Sequence, residues 1–128
     1  MPFHRLTLST LPGVFAVCRL DPASPVPGWA TPDGFIAIVR TAEELSIVCA
    51  EQAVPRGVTC QRGWRGLKVA GPLDFALTGV LASLTTPLAE AGVSIFAIST
   101  YDTDYVLVQE GQLDAAIDTL RRAGFAVA

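Results

Sequence analysis

Residues 79–108 read GVLASLTTPLAEAGVSIFAISTYDTDYVLV, and this stretch decides the fold. Val80, Leu81, Leu84, Leu88 and Ala91 recur at helical spacing, and Gly92 supplies a stop. Thr78 is read as the N-cap and Gly79 as the first helical residue. Pro87 lies inside the pattern and removes one backbone hydrogen bond, so a bend or an early end is expected there. Two apolar runs follow, 93–99 and 105–109, which read as strands. They are joined by Ser99-Thr100-Tyr101-Asp102-Thr103-Asp104-Tyr105. A connection made only to reverse the chain favours Gly, Asn or Pro. This one carries carboxylates, hydroxyls and an aromatic ring instead.

Working outward, residues 64–70 (WRGLKVA) alternate as a strand that Gly71-Pro72 breaks. Residues 112–123 form a second helical pattern, with Leu113, Ala116, Ile117 and Leu120 on one face. Asp114 lies near its start and Arg121 and Arg122 near its end, as the helix dipole favours. Gly124 stops it, and residues 125–127 read as a last strand. The order from Trp64 to Val127 is therefore β-α-β-β-α-β, the ferredoxin-like arrangement of an antiparallel sheet with two helices on one face. The other sheet face carries Phe96 and Ile98 and needs cover from the N-terminal half, a second copy, or both.

Before this region, residues 3–9 alternate, Leu11-Pro12-Gly13 signals a turn, and residues 14–20 form a second strand, which predicts an opening hairpin. Residues 21–33 hold prolines at 22, 25, 27 and 32 and read as a loop, with a helical turn at 26–30. Residues 35–40 and 45–49 are two further strands, joined by a solvated Glu43-Glu44 turn, and 51–54 a helical turn. The polar segment 56–63 marks the boundary between the halves. Two domains are expected, an N-terminal half over 1–60 and a C-terminal domain over 61–128.

Of the 128 residues, 51% are hydrophobic and 16% charged, which implies a substantial core and some surface buried against a partner. The net charge of −3 leaves no basic face for a phosphate backbone, so nucleic acid is not expected as a partner. No apolar run approaches the roughly 20 residues that span a bilayer, and residues 1–10 lack a secretory signal's apolar block. Cys18, Cys49 and Cys60 contain no CxxC pair and read as buried, reduced thiols of a cytoplasmic protein. His4 is the only histidine, which argues against a zinc site and against Ser-His or Cys-His catalysis. Asp102 and Asp104 can be an acid/base pair or solvated turn carboxylates. Trp29 and Trp64 read as core or interface anchors.

The segment 71–79 (GPLDFALTG) enters a helix but lacks the Gly-Lys-Ser/Thr ending of a phosphate loop. It reads either as an ordinary strand-to-helix turn or as a helix start that accepts a carboxylate on its first amides. Asp104 either caps its own turn or accepts hydrogen bonds from a ligand ammonium. A helix start at Thr78, Gly79 and Val80 with a carboxylate at Asp104 would match both charges of an amino acid.

The segments WRGLKVAGPLDF, GVLASLTTPLAEAGVSIFAISTYDTDYVLV and the closing helix resemble the ACT domain, a small-molecule-binding regulatory module. GVFAVCRL and FIAIVRTAEELSIVC extend the similarity to small bacterial proteins built as tandem ACT-like repeats. These are related to the arginine-sensing ACT proteins of animals and to the regulatory regions of aspartate kinases. The resemblance implies an α+β protein of two tandem ACT-like, ferredoxin-like halves, the first degenerate, and a homodimer. It implies a regulatory, allosteric role without catalysis or cofactor, in which an amino acid is held at an interface between ACT modules. By motif position it points to Gly79 and Asp104, with Val80, Thr100 and Tyr101 beside them. The rival expectations are a ligand-free dimerisation or assembly module, and a small enzyme using Tyr101, Asp102 and Asp104.

Overall fold

The computed structural model describes residues 6–73 and 78–128. The reading of residues 3–5 as strand, His4 and the segment 74–77 lie outside the described residues. The chain divides into two units, Gly13–Trp64, and Met1–Pro12 with Arg65–Ala128.

The unit Gly13–Trp64 holds β2 (Phe15–Leu20), β3 (Ala37–Arg40), β4 (Leu45–Ala50) and the first half of β5 (Cys60–Val69). The strand order is β3-β4-β2-β5, and the β3–β4, β2–β4 and β2–β5 pairs are antiparallel. Numbered within the unit this is 4-1-3-2, the ferredoxin-like sheet. The two connections that would carry helices carry only three-residue 3-10 turns, Gly28–Ala30 and Glu51–Ala53. The sequence explains the reduction. Four prolines crowd the first connection, and Pro55 and Gly57 follow the second turn, so neither segment can propagate an α-helix. Instead Trp29, Ala30, Val54 and Val58 pack over Ala16, Cys18, Leu45, Ile47 and Cys49. Phe15 and Phe35 add an edge-to-face contact at 5.8 Å.

The 56–63 segment is shorter as a connection than its polarity suggests, because β5 already begins at Cys60. Gln61 and Arg62 are exposed on a paired strand, where polar side chains cost nothing. Glu51 secures this region by accepting the Gly63 N–H at 2.8 Å.

The second unit contains β1 (Thr7–Thr10), the second half of β5, α1 (Val80–Glu90), β6 (Ile95–Ser99), β7 (Asp104–Gln109), α2 (Leu113–Arg122) and β8 (Ala126–Val127). From β5 to β8 the order is β-α-β-β-α-β, as the sequence predicts. The sheet neighbours are β6–β7, β7–β5, β5–β1 and β1–β8, so β1 stands between β5 and β8. This overturns the opening hairpin. Leu8 lies opposite both Val69 and Val127, in an antiparallel and a parallel ladder. β2 pairs instead with β4 and β5. The Pro12-Gly13 turn thus marks the passage between units rather than a chain reversal within one.

One continuous core fills the second unit. Leu84 and Leu88 of α1, with Ala116 and Leu120 of α2, cover Leu8, Leu67, Val69, Val106, Val108 and Val127. Pro87 does not end α1 early, since the helix runs on to Glu90 and the Pro87 carbonyl still accepts the Ala91 N–H at 3.1 Å. So close to the C-terminus, a single missing donor is tolerated. Arg121 donates to the Val127 carbonyl at 2.9 Å and fixes the last strand to α2.

Candidate functional site

The start of α1 differs from the reading of the sequence. Gly79, not Thr78, is the N-cap residue, in the left-handed region at φ 77°, and the helix begins at Val80. A threonine N-cap needs extended backbone, whereas the chain turns sharply here in a left-handed conformation that favours glycine. Gly79 makes no side-chain cap, and its carbonyl accepts the Ser83 N–H at 2.9 Å. Thr78 is exposed. The Val80 side chain is buried, so only its backbone can meet a ligand.

The connection between β6 and β7 is a closed polar turn. The Thr100 N–H donates to the Thr103 carbonyl at 2.8 Å, the Thr100 hydroxyl donates to the same carbonyl at 3.1 Å, and the Thr103 N–H lies 3.2 Å from Thr100 Oγ1. Tyr101 stands at the tip, 83% exposed. Asp104 opens β7 opposite Ser99 and is half-buried. Its Oδ1 accepts the Ser99 hydroxyl at 2.6 Å, which orients the carboxylate.

The turn is held against the end of β5. The Thr103 hydroxyl, 5% exposed, donates to the Val69 carbonyl at 2.7 Å, and the Leu73 N–H donates to the Asp102 carbonyl at 2.7 Å. A Cβ on Gly71 would stand 3.1 Å from that carbonyl, so the close approach favours glycine. The Gly71–Pro72 peptide is cis. These contacts place the segment that leads to α1 and the polar turn at one end of the unit. Thr103→Val keeps the shape but strips the Val69 carbonyl of its partner, and should lower stability by about 1–2 kcal/mol in urea titrations.

Strand parity separates this end into two faces. Asp104 shares its side of β7 with Val106 and Val108, which pack under the helices. Tyr105 points the other way, as does Lys68 between Leu67 and Val69, and the Lys68 Nζ lies 6.0 Å from the Tyr105 ring centroid. Lys68, Gly71, Pro72, Thr100, Asp102, Thr103 and Tyr105 line a cleft of about 200 Å³ on that helix-free side. Of the residues that the sequence singled out for a ligand, only Thr100 lines it. Lys68 and Tyr105 were missed because each looks like a solvent-facing position of its own strand. Only the β5–β7 pairing brings them together.

Among the described residues, no group of three or more His, Cys, Asp or Glu side chains could hold a metal ion, and no helix is long and apolar enough to cross a membrane.

An ACT domain family model matches residues 59–122, half of the chain, across the polar turn and both helices. The chain belongs to the ACT domain family. A second family model, of an N-terminal domain, matches residues 13–57, within the Gly13–Trp64 unit. The ACT chain is 35% identical over 95 residues to the cytosolic arginine sensor for mTORC1 subunit 1 of Rattus norvegicus. That match covers 70% of this chain and 27% of the sensor, so the chain spans about a quarter of the curated relative's length. A crystal structure of an Agrobacterium tumefaciens protein superposes with a TM-score of 0.93 at 37% identity, covering 98% of this ACT protein and 94% of the other. The regulatory subunit of aspartate kinase from Thermus flavus shares the fold, with a TM-score of 0.66 at 11% identity over 94% of this chain and 99% of its own.

Proposed function

We propose that this ACT protein is a cytoplasmic regulatory sensor that binds a small amino acid and couples its occupancy to a protein partner. The observation that carries the reading is Asp104, a half-buried carboxylate already oriented by Ser99, on the helix-facing side of the sheet at the end where α1 begins. In this reading Asp104 accepts the ligand ammonium. The backbone at Gly79 and Val80 meets the ligand carboxylate, and Thr78, Thr100 and Tyr101 border the site. The exposed Tyr101 and Thr100 suit a site that a second ACT module closes, which a homodimer provides. The edge strand β3 supports self-association, with Val39 56% and Ile38 37% exposed. The arginine-sensing function of the animal relative supports an amino acid as the ligand class. The chain performs no catalysis in this reading. The ligand shifts the protein between arrangements by as much as it prefers one over the other.

Thermal-shift screening of the full chain against the twenty amino acids tests the proposal. At a hundredfold excess over Kd a specific ligand stabilises the folded state by about 2.7 kcal/mol, a shift of several degrees. If no amino acid at millimolar concentration moves the transition, the sensor reading fails.

A further inference from the structure

The three cysteines lie on neighbouring strands of the Gly13–Trp64 unit. Cys18 is on β2, Cys49 on β4 and Cys60 at the start of β5, and all three are free thiols. Their positions are not equivalent. Cys18 and Cys60 are directly opposite in the β2–β5 ladder. The adjacent Arg19 N–H donates to the Thr59 carbonyl at 2.9 Å, so residues 19 and 59 are the hydrogen-bonded pair and 18 and 60 the non-hydrogen-bonded pair. Non-hydrogen-bonded antiparallel pairs hold their Cα atoms about 4.5 Å apart, within the span of a disulfide. Cys49 pairs with Ala16, which makes it the diagonal neighbour of Cys18, and diagonal separations of about 7–8 Å exceed a disulfide's reach. Its thiol donates to the Ala50 carbonyl at 3.7 Å.

We propose that Cys18 and Cys60 are a redox-modification site, a cross-strand dithiol that a small disulfide such as glutathione disulfide converts to an intramolecular disulfide while Cys49 stays reduced. Cys60 is the point of entry, because it is half-buried whereas Cys18 is 1% exposed. Burial, reinforced by the neighbouring Cys49 and Cys60 thiols, pushes Cys18 up to about 12, so Cys18 stays protonated at neutral pH. In the first exchange, the Cys60 sulfur bonds to one glutathione sulfur, the glutathione disulfide bond breaks, and one glutathione leaves with the Cys60 proton. In the second, the Cys18 sulfur displaces the glutathione held on Cys60, which leaves with the Cys18 proton. Two protein thiols are oxidised, and one glutathione disulfide is reduced to two glutathione molecules. The product is a covalent link between the paired strands β2 and β5.

Peptide mapping of the full chain tests this directly. Trypsin cuts after Arg5, Arg19, Arg40, Arg56 and Arg62, which leaves Cys18 in residues 6–19, Cys49 in 41–56 and Cys60 in 57–62. The folded protein is incubated with glutathione disulfide, quenched in acid, alkylated and digested. The expected product is 6–19 joined to 57–62, two hydrogens lighter than the separate peptides and abolished by dithiothreitol. The Cys49→Ser variant should retain it and the Cys60→Ser variant should lose it. Glutathione kept on Cys60 with Cys18 still open to alkylation would overturn the proposal. So would a link through Cys49, or three alkylated thiols. The wild-type map decides the matter even if a variant fails to fold.

Discussion

Leu84→Ala will lower the unfolding free energy by about 3 kcal/mol, with a shifted urea midpoint and an unchanged slope. Leu84 is fully buried in the middle of α1 and belongs to the core that joins both helices to β1, β5, β7 and β8. Truncation removes its transfer free energy and leaves a cavity. The surrounding strands cannot collapse into it, since each is held by a ladder on at least one side. The exposed neighbour Ala82 offers the contrast: Ala82→Glu changes no buried contact and should stay within about 0.5 kcal/mol of the parent. If both substitutions cost the same, the helix does not pack by the face described.

The periodicity that identified α1 also identified what it buries. Val80, Leu84 and Leu88 are the buried residues of that helix, at the spacing that made the segment legible. The same holds for α2, whose Leu113, Ala116 and Leu120 are buried. What the sequence did not reveal were relations between segments far apart in the chain. The β1 strand reads as half of a hairpin, because local turn chemistry at Pro12-Gly13 is visible. Its pairing with Val69 and Val127 is not. The N-terminal unit keeps the ferredoxin-like order while its helices shrink to 3-10 turns, and only the proline content hinted at this. The site was legible to a similar extent. Asp104 stands out by residue type and place. The cleft at Lys68 and Tyr105 exists only once β5 and β7 lie side by side, and the left-handed conformation of Gly79 depends on how the chain must turn to enter α1.

That separation of faces makes the strongest functional prediction a comparison of two aspartates two residues apart, Asp102 and Asp104. Asp104→Ala should weaken amino-acid binding about thirtyfold in calorimetric titrations while leaving the thermal transition of the unliganded protein nearly unchanged. A hydrogen bond to a charged partner contributes about 1.5–3 kcal/mol, and each 1.4 kcal/mol is tenfold in Kd. The fold should survive, because the partner that Asp104 releases is the hydroxyl of the exposed Ser99. Asp104→Asn keeps an acceptor for that hydroxyl but removes the charge, so it should recover stability without recovering affinity. Asp102→Ala should bind as the parent does. The tie of Asp102 to the fold is its backbone carbonyl, which alanine retains, and the residue lines the cleft on the helix-free face. The opposite result, in which Asp102→Ala abolishes binding and Asp104→Ala does not, would move the ligand to the Lys68–Tyr105 cleft. It would also withdraw the helix start at Gly79 from the site, because that start lies on the helix side of the sheet and the cleft on the other.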